Sequence, residues 1–362
     1  MPRILLVTND FPPTVGGIQS YLRDFLATLD PQEVVVFAST QDRAAAAHHD
    51  AALPYRVIRW PRHVMLPTPS TAEAMSQIIR ELDIDTVWFG AAAPLALMSA
   101  AARGAGARRI IASTHGHEVG WSMLPGARRV LRRIGDNADV VTYISDYTLR
   151  RFRRAFGPHP QFRHLPSGVD TDWFRSADRP AGPPTVVCVS RLVPRKGQDM
   201  LLRVWPRILD RHPDARLRIV GSGSYENTLR QLAAPLGDAV EFTGPLTTAA
   251  LRDALAAADV FAMPARTRGK GLDVEGLGIV YLEAQACGIP VIAGDSGGAP
   301  ETVTPETGIV VDGRREDELA TALLTLLDDP QLAADMGQAG RRYARTEWSW
   351  DIMGARLRDI LR

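Results

Sequence analysis

The chain has 362 residues, and its 42 basic side chains nearly balance its 41 acidic ones. With 45% hydrophobic and 23% charged residues, the composition excludes a polyelectrolyte and a long disordered tail. The length favours two domains, because single hydrophobic cores stop growing at roughly 250–300 residues. Residues 1–166 carry 19 basic and 14 acidic side chains, so the near-neutral total contains two halves of opposite net charge.

Cysteine usage and hydropathy favour a cytoplasmic protein. Cys188 and Cys287 each lie in an apolar stretch, which indicates buried thiols in a reducing compartment rather than a disulfide. The first apolar run is too short for a signal peptide, and the weakly polar run over 91–102 is too short to cross a bilayer. We therefore expect no membrane-spanning segment.

Short β-branched runs alternate with amphipathic stretches of helical period, which is typical of βα units and parallel sheets. The first series of strands is predicted at residues 4–8, 34–38, 56–59, 86–89, 109–113 and 140–144. The second series is predicted at residues 185–190, 217–220, 240–243, 260–263, 290–293 and 308–311. The expected fold class is α/β, with two Rossmann-like, doubly wound parallel-sheet domains that face a central cleft.

Proline and glycine mark the boundary between these domains. They are concentrated in residues 176–184, so a linker over 167–184 is expected between domains at 1–166 and 185–345. The last stretch, 346–362, has the apolar spacing of a helix that either closes the second domain or returns to the first. Ligands of such sheets bind at the carboxyl ends of the strands, where both domains would meet.

Two glycine-rich turns follow predicted strands. Gly16-Gly17 precedes an amphipathic helix, whose first amides and positive dipole end suit a phosphate, although a plain turn is the alternative. Gly221-Ser222-Gly223 is followed by Glu226, where a dinucleotide fingerprint needs a third glycine. A nicotinamide or flavin cofactor is therefore disfavoured.

A basic loop follows the first strand of the second series. It reads Ser190-Arg191-Leu192-Val193-Pro194-Arg195-Lys196-Gly197 and precedes a predicted helix. Arg191 can bind phosphate oxygens in a bidentate way and Lys196 supplies a point charge, so the loop suits a diphosphate. A solvated basic loop is the alternative. The only other lysine, Lys270, has no assigned role.

Two glutamates lie eight residues apart around a glycine-rich turn. Glu275 precedes the turn, and Glu283 lies about one turn into a helix that ends at Gly288. A carboxylate accepts two hydrogen bonds, so Glu283 suits a ribose diol and Glu275 suits a second, sugar-like group. A solvent-facing helix glutamate is the alternative.

Taken together, these motifs resemble the retaining nucleotide-sugar glycosyltransferases of family four, which have the GT-B fold. The resemblance covers nearly the whole chain and rests on Glu275-x7-Glu283, Gly16-Gly17, His115, Ser167-Gly168-Val169-Asp170, Arg191 with Lys196, Gly221-Ser222-Gly223 and Gly297-Gly298-Ala299-Pro300-Glu301. It implies a GT-B fold with a donor-binding C-terminal domain and an acceptor-binding N-terminal domain.

The resemblance also implies roles for single residues. Arg191 and Lys196 would neutralise the departing nucleoside diphosphate, Glu283 would hold the ribose, and Glu275 would bind the transferred sugar. His115 would approach the sugar from the first domain, although His117, two residues on, competes for that role. The catalytic set is thus His115, Arg191, Lys196 and Glu275. Further donor contacts are expected from Gly16, Gly17, Gly221, Leu246, Gly278, Ile279 and Val280.

Neither Asp-x-Asp string of the sequence is expected to hold a metal ion. Asp83-Ile84-Asp85 precedes a strand and Asp170-Thr171-Asp172 lies near the domain connection, so both are interpreted as structural. Cations and amides around the diphosphate would stabilise the leaving group instead. We predict transfer without a metal or another cofactor.

Arginine is concentrated in the first half of the chain. Residues 103–163 hold twelve arginines against four acids, in part on an amphipathic stretch that suits an anionic lipid surface. The predicted acceptor and membrane residues are Arg62, His117, Trp121, Arg128, Arg129, Arg132 and Arg133. Nucleic acid is disfavoured because no nucleic-acid module is recognisable. Solvated arginine-rich faces are the remaining alternative.

The complete pattern resembles the GDP-mannose-dependent phosphatidylinositol mannosyltransferases, above all those that add a second mannose. This resemblance implies retaining transfer of mannose to a phosphatidylinositol mannoside-type glycolipid at the inner face of the plasma membrane. Another nucleotide sugar, UDP- or GDP-linked, with a soluble or polyprenyl-linked acceptor is an alternative. Functions of other classes are a nucleotide-sugar epimerase and a binding protein.

Overall fold

The computed structural model describes residues 3–176 and 182–362. These residues form two compact units, one up to Ser167 together with Trp350–Arg362 and the other over Gly168–Ser349. Residues 177–181 of the predicted linker lie outside the described residues, whereas residues 168–176 belong to the second unit. No described helix has the length and apolar character needed to cross a bilayer.

The first unit contains a seven-stranded parallel sheet in the order β3-β2-β1-β4-β5-β6-β7. Its strands are β1 (Ile4–Thr8), β2 (Val34–Ala38), β3 (Arg56–Arg59), β4 (Thr86–Phe89), β5 (Arg109–Ser113), β6 (Val140–Tyr143) and β7 (Gln161–His164). The strand order reverses between β1 and β4, a switch point at which doubly wound sheets bind ligands. Strands β1, β2 and β4 are buried along their whole length, as expected for a sheet covered on both faces.

Seven helices connect these strands among the described residues. They are α1 (Gly17–Leu26), α2 (Arg43–Asp50), α3 (Pro69–Glu81), α4 (Ser99–Gly104), α5 (Glu118–Met123), α6 (Pro125–Gly135) and α7 (Asp146–Phe156). Several begin at the capping residues that local chemistry favours: Asp42, Thr68 and Ser145 accept hydrogen bonds from first-turn amides. Helix α1 buries Tyr21, Leu22, Phe25 and Leu26, which lie on one face.

The second unit contains a six-stranded parallel sheet in the order β10-β9-β8-β11-β12-β13. Its strands are β8 (Thr185–Val189), β9 (Arg216–Val220), β10 (Val240–Gly244), β11 (Val260–Met263), β12 (Val291–Gly294) and β13 (Gly308–Val311). Its helices are α8 (Gln198–Arg211), α9 (Glu226–Ala233), α10 (Thr248–Ala256), α11 (Ile279–Ala286), α12 (Glu316–Asp328) and α13 (Pro330–Glu347). The switch point lies between β8 and β11.

The last helix, α14 (Trp350–Leu361), belongs to the first unit. Trp350 meets the ring of Phe25 edge-on at 5.1 Å, and Arg358 donates to the Thr28 carbonyl at 2.8 Å. The last helix therefore packs on the first unit and does not close the second.

The predicted fold class, two Rossmann-like parallel-sheet domains, is confirmed. The predicted strands agree with the structure to within one residue at each end, but β7 was not predicted. This strand lies at the sheet edge and carries Gln161, Arg163 and His164, so it lacks the apolar run by which a buried strand is recognised.

Candidate functional site

In the second unit, the ends of β8 and β9 and the loop after β10 line a cavity of about 250 Å³. Three predicted donor contacts, Arg191, Gly221 and Leu246, lie in its wall; the other lining residues are Val189, Ser190, Val220, Ser222, Pro245 and Leu251. Gly221 has a φ of 124°, and a Cβ there would meet the Ser190 carbonyl, so only glycine allows this approach of the two loops. Apolar walls with an arginine in the lining suit a planar base attached to a phosphate.

Lys196 and Glu275 form a buried ion pair. The Lys196 Nζ lies 2.5 Å from the Glu275 Oε2, and the two residues are only 8% and 7% exposed. Lys196 ends a short 3₁₀ turn, Pro194–Lys196, and Gly197 then turns the chain into α8 with a φ of 78°. The structure thus places two members of the predicted catalytic set in direct contact.

Arg195 extends this pair into a network and was not predicted. Its guanidinium lies 3.4 Å from the Asp273 carboxylate and 3.9 Å from that of Glu275. Behind it, Arg266 pairs with the buried Asp199 at 2.8 Å and donates its backbone amide to the Arg195 carbonyl at 2.8 Å. In the sequence, Arg195 directly precedes Lys196 and Asp273 lies two residues before Glu275. This closeness to predicted site residues was the signal that could have identified both.

The backbone of Glu275 is held by the glycine-rich loop after β12. The Glu275 amide donates to the Ser296 hydroxyl at 3.1 Å, and its carbonyl accepts from the Gly298 amide at 2.9 Å. A Cβ on Gly297 would collide with the Glu275 carbonyl. The Gly297-Gly298 pair therefore positions Glu275, and Ser296 is a further contact that the sequence did not reveal.

The segment Gly278, Ile279 and Val280 forms the start of α11. Gly278 has a φ of 87°, which favours glycine, and the helix directs its positive dipole end toward this turn. Tyr281, not predicted, is buried and donates its hydroxyl to the Met263 carbonyl at 2.6 Å, which ties the helix to β11. Burial raises the pKa of Tyr281 well above its usual value.

Glu283 lies on α11 with a half-buried carboxylate. Its side chain makes no hydrogen bond or ion pair within residues 3–176 and 182–362, and burial raises its pKa to about 7. This pKa lies above that of a carboxyl group in the unfolded chain. The protonated Glu283 therefore contributes to the stability of the fold at acidic pH, and this contribution is lost as the pH rises through about 7. Hydroxyl donors from a ligand would offset the cost of the ionised form.

In the first unit, His115 follows β5 and is fixed on two sides. Its Nε2 lies 2.7 Å from the Gly90 carbonyl, which only accepts, so Nε2 carries the proton and Nδ1 keeps a lone pair. The ring meets Tyr21 of α1 edge-on at 4.9 Å. Burial lowers the pKa of His115, so the ring is neutral at pH 7 and Nδ1 can accept from a hydroxyl. His117 is exposed, with its Nε2 3.2 Å from Glu118.

Gly16 and Gly17 lie at the start of α1. Gly16 precedes the first turn with an extended backbone, and no side chain caps this helix. The first amides of α1 therefore remain available to an anion, in keeping with the predicted phosphate contact.

One aspartate of each Asp-x-Asp string has a structural partner. The Asp85 carboxylate accepts from the Arg3 amide at 3.2 Å and pairs with Arg108, and that of Asp170 accepts from the Trp173 amide at 2.9 Å. Over the described part of the chain, no group of three His, Cys, Asp or Glu side chains has the arrangement of a metal site.

The predicted acceptor residues are distributed around α5 and α6, except Arg62 after β3. Arg62, Arg128, Arg129, Arg132 and Arg133 are exposed, whereas Trp121 is half-buried against the core of the first unit. Leu131 and Ile134, the apolar face of α6, are buried in that core. The exposed large apolar side chains here are Met123, the last residue of α5, and Leu124, which precedes α6.

Two family descriptions match this chain. "Glycosyltransferase Family 4" matches residues 15–173, and "Glycosyl transferases group 1" matches residues 169–343. The GDP-mannose-dependent monoacylated alpha-(1-6)-phosphatidylinositol monomannoside mannosyltransferase of Corynebacterium glutamicum is 62% identical over 99% of this chain and 97% of its own length. The chain belongs to glycosyltransferase family 4. A second family 4 relative, the GDP-mannose-dependent alpha-(1-6)-phosphatidylinositol monomannoside mannosyltransferase of Mycolicibacterium smegmatis, is 57% identical over 99% of this chain and 98% of its own length.

The fold of this family 4 glycosyltransferase is also found among solved structures. The Anabaena protein HepE, solved in complex with UDP, superposes with a TM-score of 0.82 over 99% of both chains at 21% identity. This likeness supports the GT-B assignment made from the sequence.

Proposed function

We propose that this chain transfers a mannosyl residue from GDP-mannose to a phosphatidylinositol mannoside, with retention of configuration at the transferred carbon. The observation that carries the proposal is 62% identity over 99% of the chain to an enzyme whose name states that donor and acceptor. The matched stretch extends over both units.

The charges of the second unit support a nucleoside diphosphate as the leaving group. Negative charge develops on the diphosphate as the glycosidic bond breaks, and preorganised cations stabilise it most effectively where water is excluded. Lys196 is such a buried cation, and Arg191 lines the neighbouring cavity. With these cations in place, we propose that the transfer needs no metal ion.

Carboxylates and a neutral imidazole support recognition of the two sugars. Glu283 would accept from the ribose hydroxyls, since its carboxylate has no partner among the described side chains. Glu275 would accept from the transferred mannose, and the Nδ1 of His115 would accept from another of its hydroxyls. Between the two candidate histidines, the fixed and neutral ring of His115 suits this role better than the exposed ring of His117.

Exposed side chains of the first unit support an acceptor held in an anionic lipid surface. Val64 and Leu66 point to solvent on either side of the buried Met65, whose amide donates to the Asn9 side chain at 2.6 Å. Leu124 is 63% exposed beside the arginines of α6. The loops after β3 and β5 lie at the same edge of the parallel sheet. We therefore propose peripheral binding to the inner face of the plasma membrane.

A donor and acceptor panel tests the proposal. Purified protein is incubated with GDP-mannose, UDP-glucose, UDP-N-acetylglucosamine or ADP-glucose, with phosphatidylinositol, its monomannoside or no lipid, and with or without EDTA. We expect mannose to appear on the monomannoside only with GDP-mannose, at a rate that EDTA leaves unchanged, and with the α-configuration of the donor by NMR.

Two variants control the panel. Lys196→Ala should lower the transfer rate by at least about 100-fold with unchanged circular dichroism. Arg203→Ala, an exposed arginine on α8, should behave as the wild type. Transfer from a UDP-sugar and not from GDP-mannose would overturn the proposal in favour of another donor. Conversion of a nucleotide sugar in the absence of any acceptor would overturn it in favour of an epimerase.

A further inference from the structure

Glu118 is a fully buried carboxylate beside His115. It begins α5, its exposed fraction is 0%, and no lysine or arginine pairs with it among the described residues. Burying a carboxylate without a strong cation is costly unless its oxygens accept hydrogen bonds. The hydrogen-bond donors to the Glu118 carboxylate therefore indicate its role.

One oxygen of Glu118 binds the loop that carries the two histidines. Oε2 accepts from the backbone amides of His115 and Gly116, each at 3.1 Å. Oε1 lies 3.2 Å from the His117 Nε2 but accepts no hydrogen bond within the described residues. Gly116 has a φ of 99°, a backbone conformation that brings two successive amides onto one acceptor. The loop is thus closed onto Glu118 from the inside.

His115 is consequently held at both ends. Glu118 fixes its backbone amide, while the Gly90 carbonyl fixes the Nε2 of its ring at 2.7 Å. Tyr21 closes a third side of the ring, and its own hydroxyl donates to the Leu165 carbonyl at 2.8 Å. With these contacts in place, the direction of the Nδ1 lone pair is set by the protein rather than by the substrate.

We infer that Glu118 is the positioning residue for His115, holding its backbone so that Nδ1 is presented to the transferred sugar. The inference rests on the proposed function for the role of His115. Glu118 acts as a hydrogen-bond acceptor toward two amides, so a neutral side chain of the same shape should replace it. A glutamine oxygen accepts both amide hydrogens, whereas aspartate is one methylene too short and alanine has no acceptor.

A double-mutant cycle tests whether Glu118 acts through His115. The kcat and KM for GDP-mannose are measured with the lipid acceptor for Glu118→Gln, Glu118→Asp, Glu118→Ala, His115→Ala and the His115→Ala/Glu118→Ala double variant. We expect Glu118→Gln to keep kcat within about 5-fold, and Glu118→Asp and Glu118→Ala to lower it about 10- to 100-fold. Adding Glu118→Ala to His115→Ala should change kcat by less than about 2-fold.

Two measurements separate positioning from a role in stability. GDP affinity by calorimetry should stay within about 2-fold in all Glu118 variants, because the cations proposed to bind it lie in the second unit. Asp139→Asn is the matched control, since Asp139 accepts from the Ile110 amide at 2.7 Å in β5. It should lower the melting temperature and leave kcat unchanged.

The result that would overturn the inference is an equal loss of kcat on Glu118→Ala with and without His115, or a lower melting temperature with unchanged kcat. Where Glu118→Ala does not fold, Glu118→Asp takes its place in the cycle. The imidazole nitrogen shifts of His115, assigned with His115→Ala, give a readout that needs no activity. The wild type and Glu118→Gln should show the neutral Nε2–H tautomer of His115 at pH 7, and Glu118→Asp should show a mixture of tautomers. An unchanged tautomer in Glu118→Asp would contradict the positioning role. Absence of mannose transfer by the wild type would instead contradict the proposed function.

Discussion

At the scale of the residue, the contact between Lys196 and Glu275 matters most. Their side chains are 2.5 Å apart and buried, so each charge is balanced by the other. A nucleoside diphosphate would compete with Glu275 for Lys196, because one ammonium group has to serve both anions. We therefore expect the carboxylate that is proposed to bind the sugar to lower the affinity for the diphosphate.

Removing the negative charge of Glu275 should strengthen nucleotide binding. In Glu275→Gln the buried Lys196 loses its counter-ion, and we expect GDP to bind roughly 3- to 10-fold more tightly while mannosyl transfer collapses. Calorimetric titration with GDP measures this. Asp273→Asn, which removes the partner of Arg195, is the matched control and should have the smaller effect. Weaker GDP binding by Glu275→Gln would mean that the carboxylate holds Lys196 in place for the phosphate.

At the scale of the element, the turn between β8 and α8 decides where Lys196 lies. The turn ends at Gly197, whose φ of 78° is a left-handed conformation. A Cβ at this position would collide with the carbonyl of Pro264, just after β11. The turn and the end of β11 are thus packed backbone to backbone, and only glycine permits that packing.

Substituting Gly197 should displace Lys196 and weaken GDP binding. We expect Gly197→Ala to lower GDP affinity about 10-fold or more and to reduce the melting temperature, because the turn has to shift away from Pro264. Gly237→Ala is the matched control: Gly237 also has a positive φ, 52°, but a Cβ there meets no atom within 4 Å. It should lose about 1–3 kcal/mol of stability, because its backbone favours glycine, and should retain GDP affinity. Equal GDP affinity in both variants would contradict this account of the turn.

At the scale of the whole molecule, the near-neutral charge consists of a basic first half and an acidic second half. The basic side chains of α6 are exposed, and the exposed large apolar side chains near them are Met123, at the end of α5, and Leu124. Anionic lipids attract juxtamembrane arginines by about 1 kcal/mol each, and exposed apolar side chains add burial in the interface.

Removing exposed arginines of α6 should abolish binding to anionic vesicles. We expect a triple alanine variant of Arg128, Arg129 and Arg133 to lose most cosedimentation with vesicles that contain phosphatidylinositol, and the wild type to lose it at high salt. The matched control is a triple alanine variant of Arg203, Arg342 and Arg345, exposed arginines of the second unit. Unchanged binding of the α6 variant would contradict a membrane-facing role for this helix.

Much of the fold was predictable because parallel strands buried on both faces need continuous apolar, β-branched runs. Of the thirteen strands in the described residues, the central ones such as β1, β2 and β4 carry this signal most clearly, and the edge strand β7 does not. Amphipathic spacing predicted α6 as a helix, but it could not show what covers the apolar face. In the structure Leu131 and Ile134 face the core of the first unit, so the long side chains that α6 exposes are those of its arginines.

The sequence by itself determined the strands, the family motifs and the residue types of the candidate site, because each is a short-range pattern along the chain. Only the tertiary structure decided that Lys196 contacts Glu275, 79 positions away, and that Glu118 is buried against the His115 amide. The physical reason is that parallel sheets bring loops distant in sequence to one edge, where side chains and backbone amides find their partners. No local periodicity records which loops meet there.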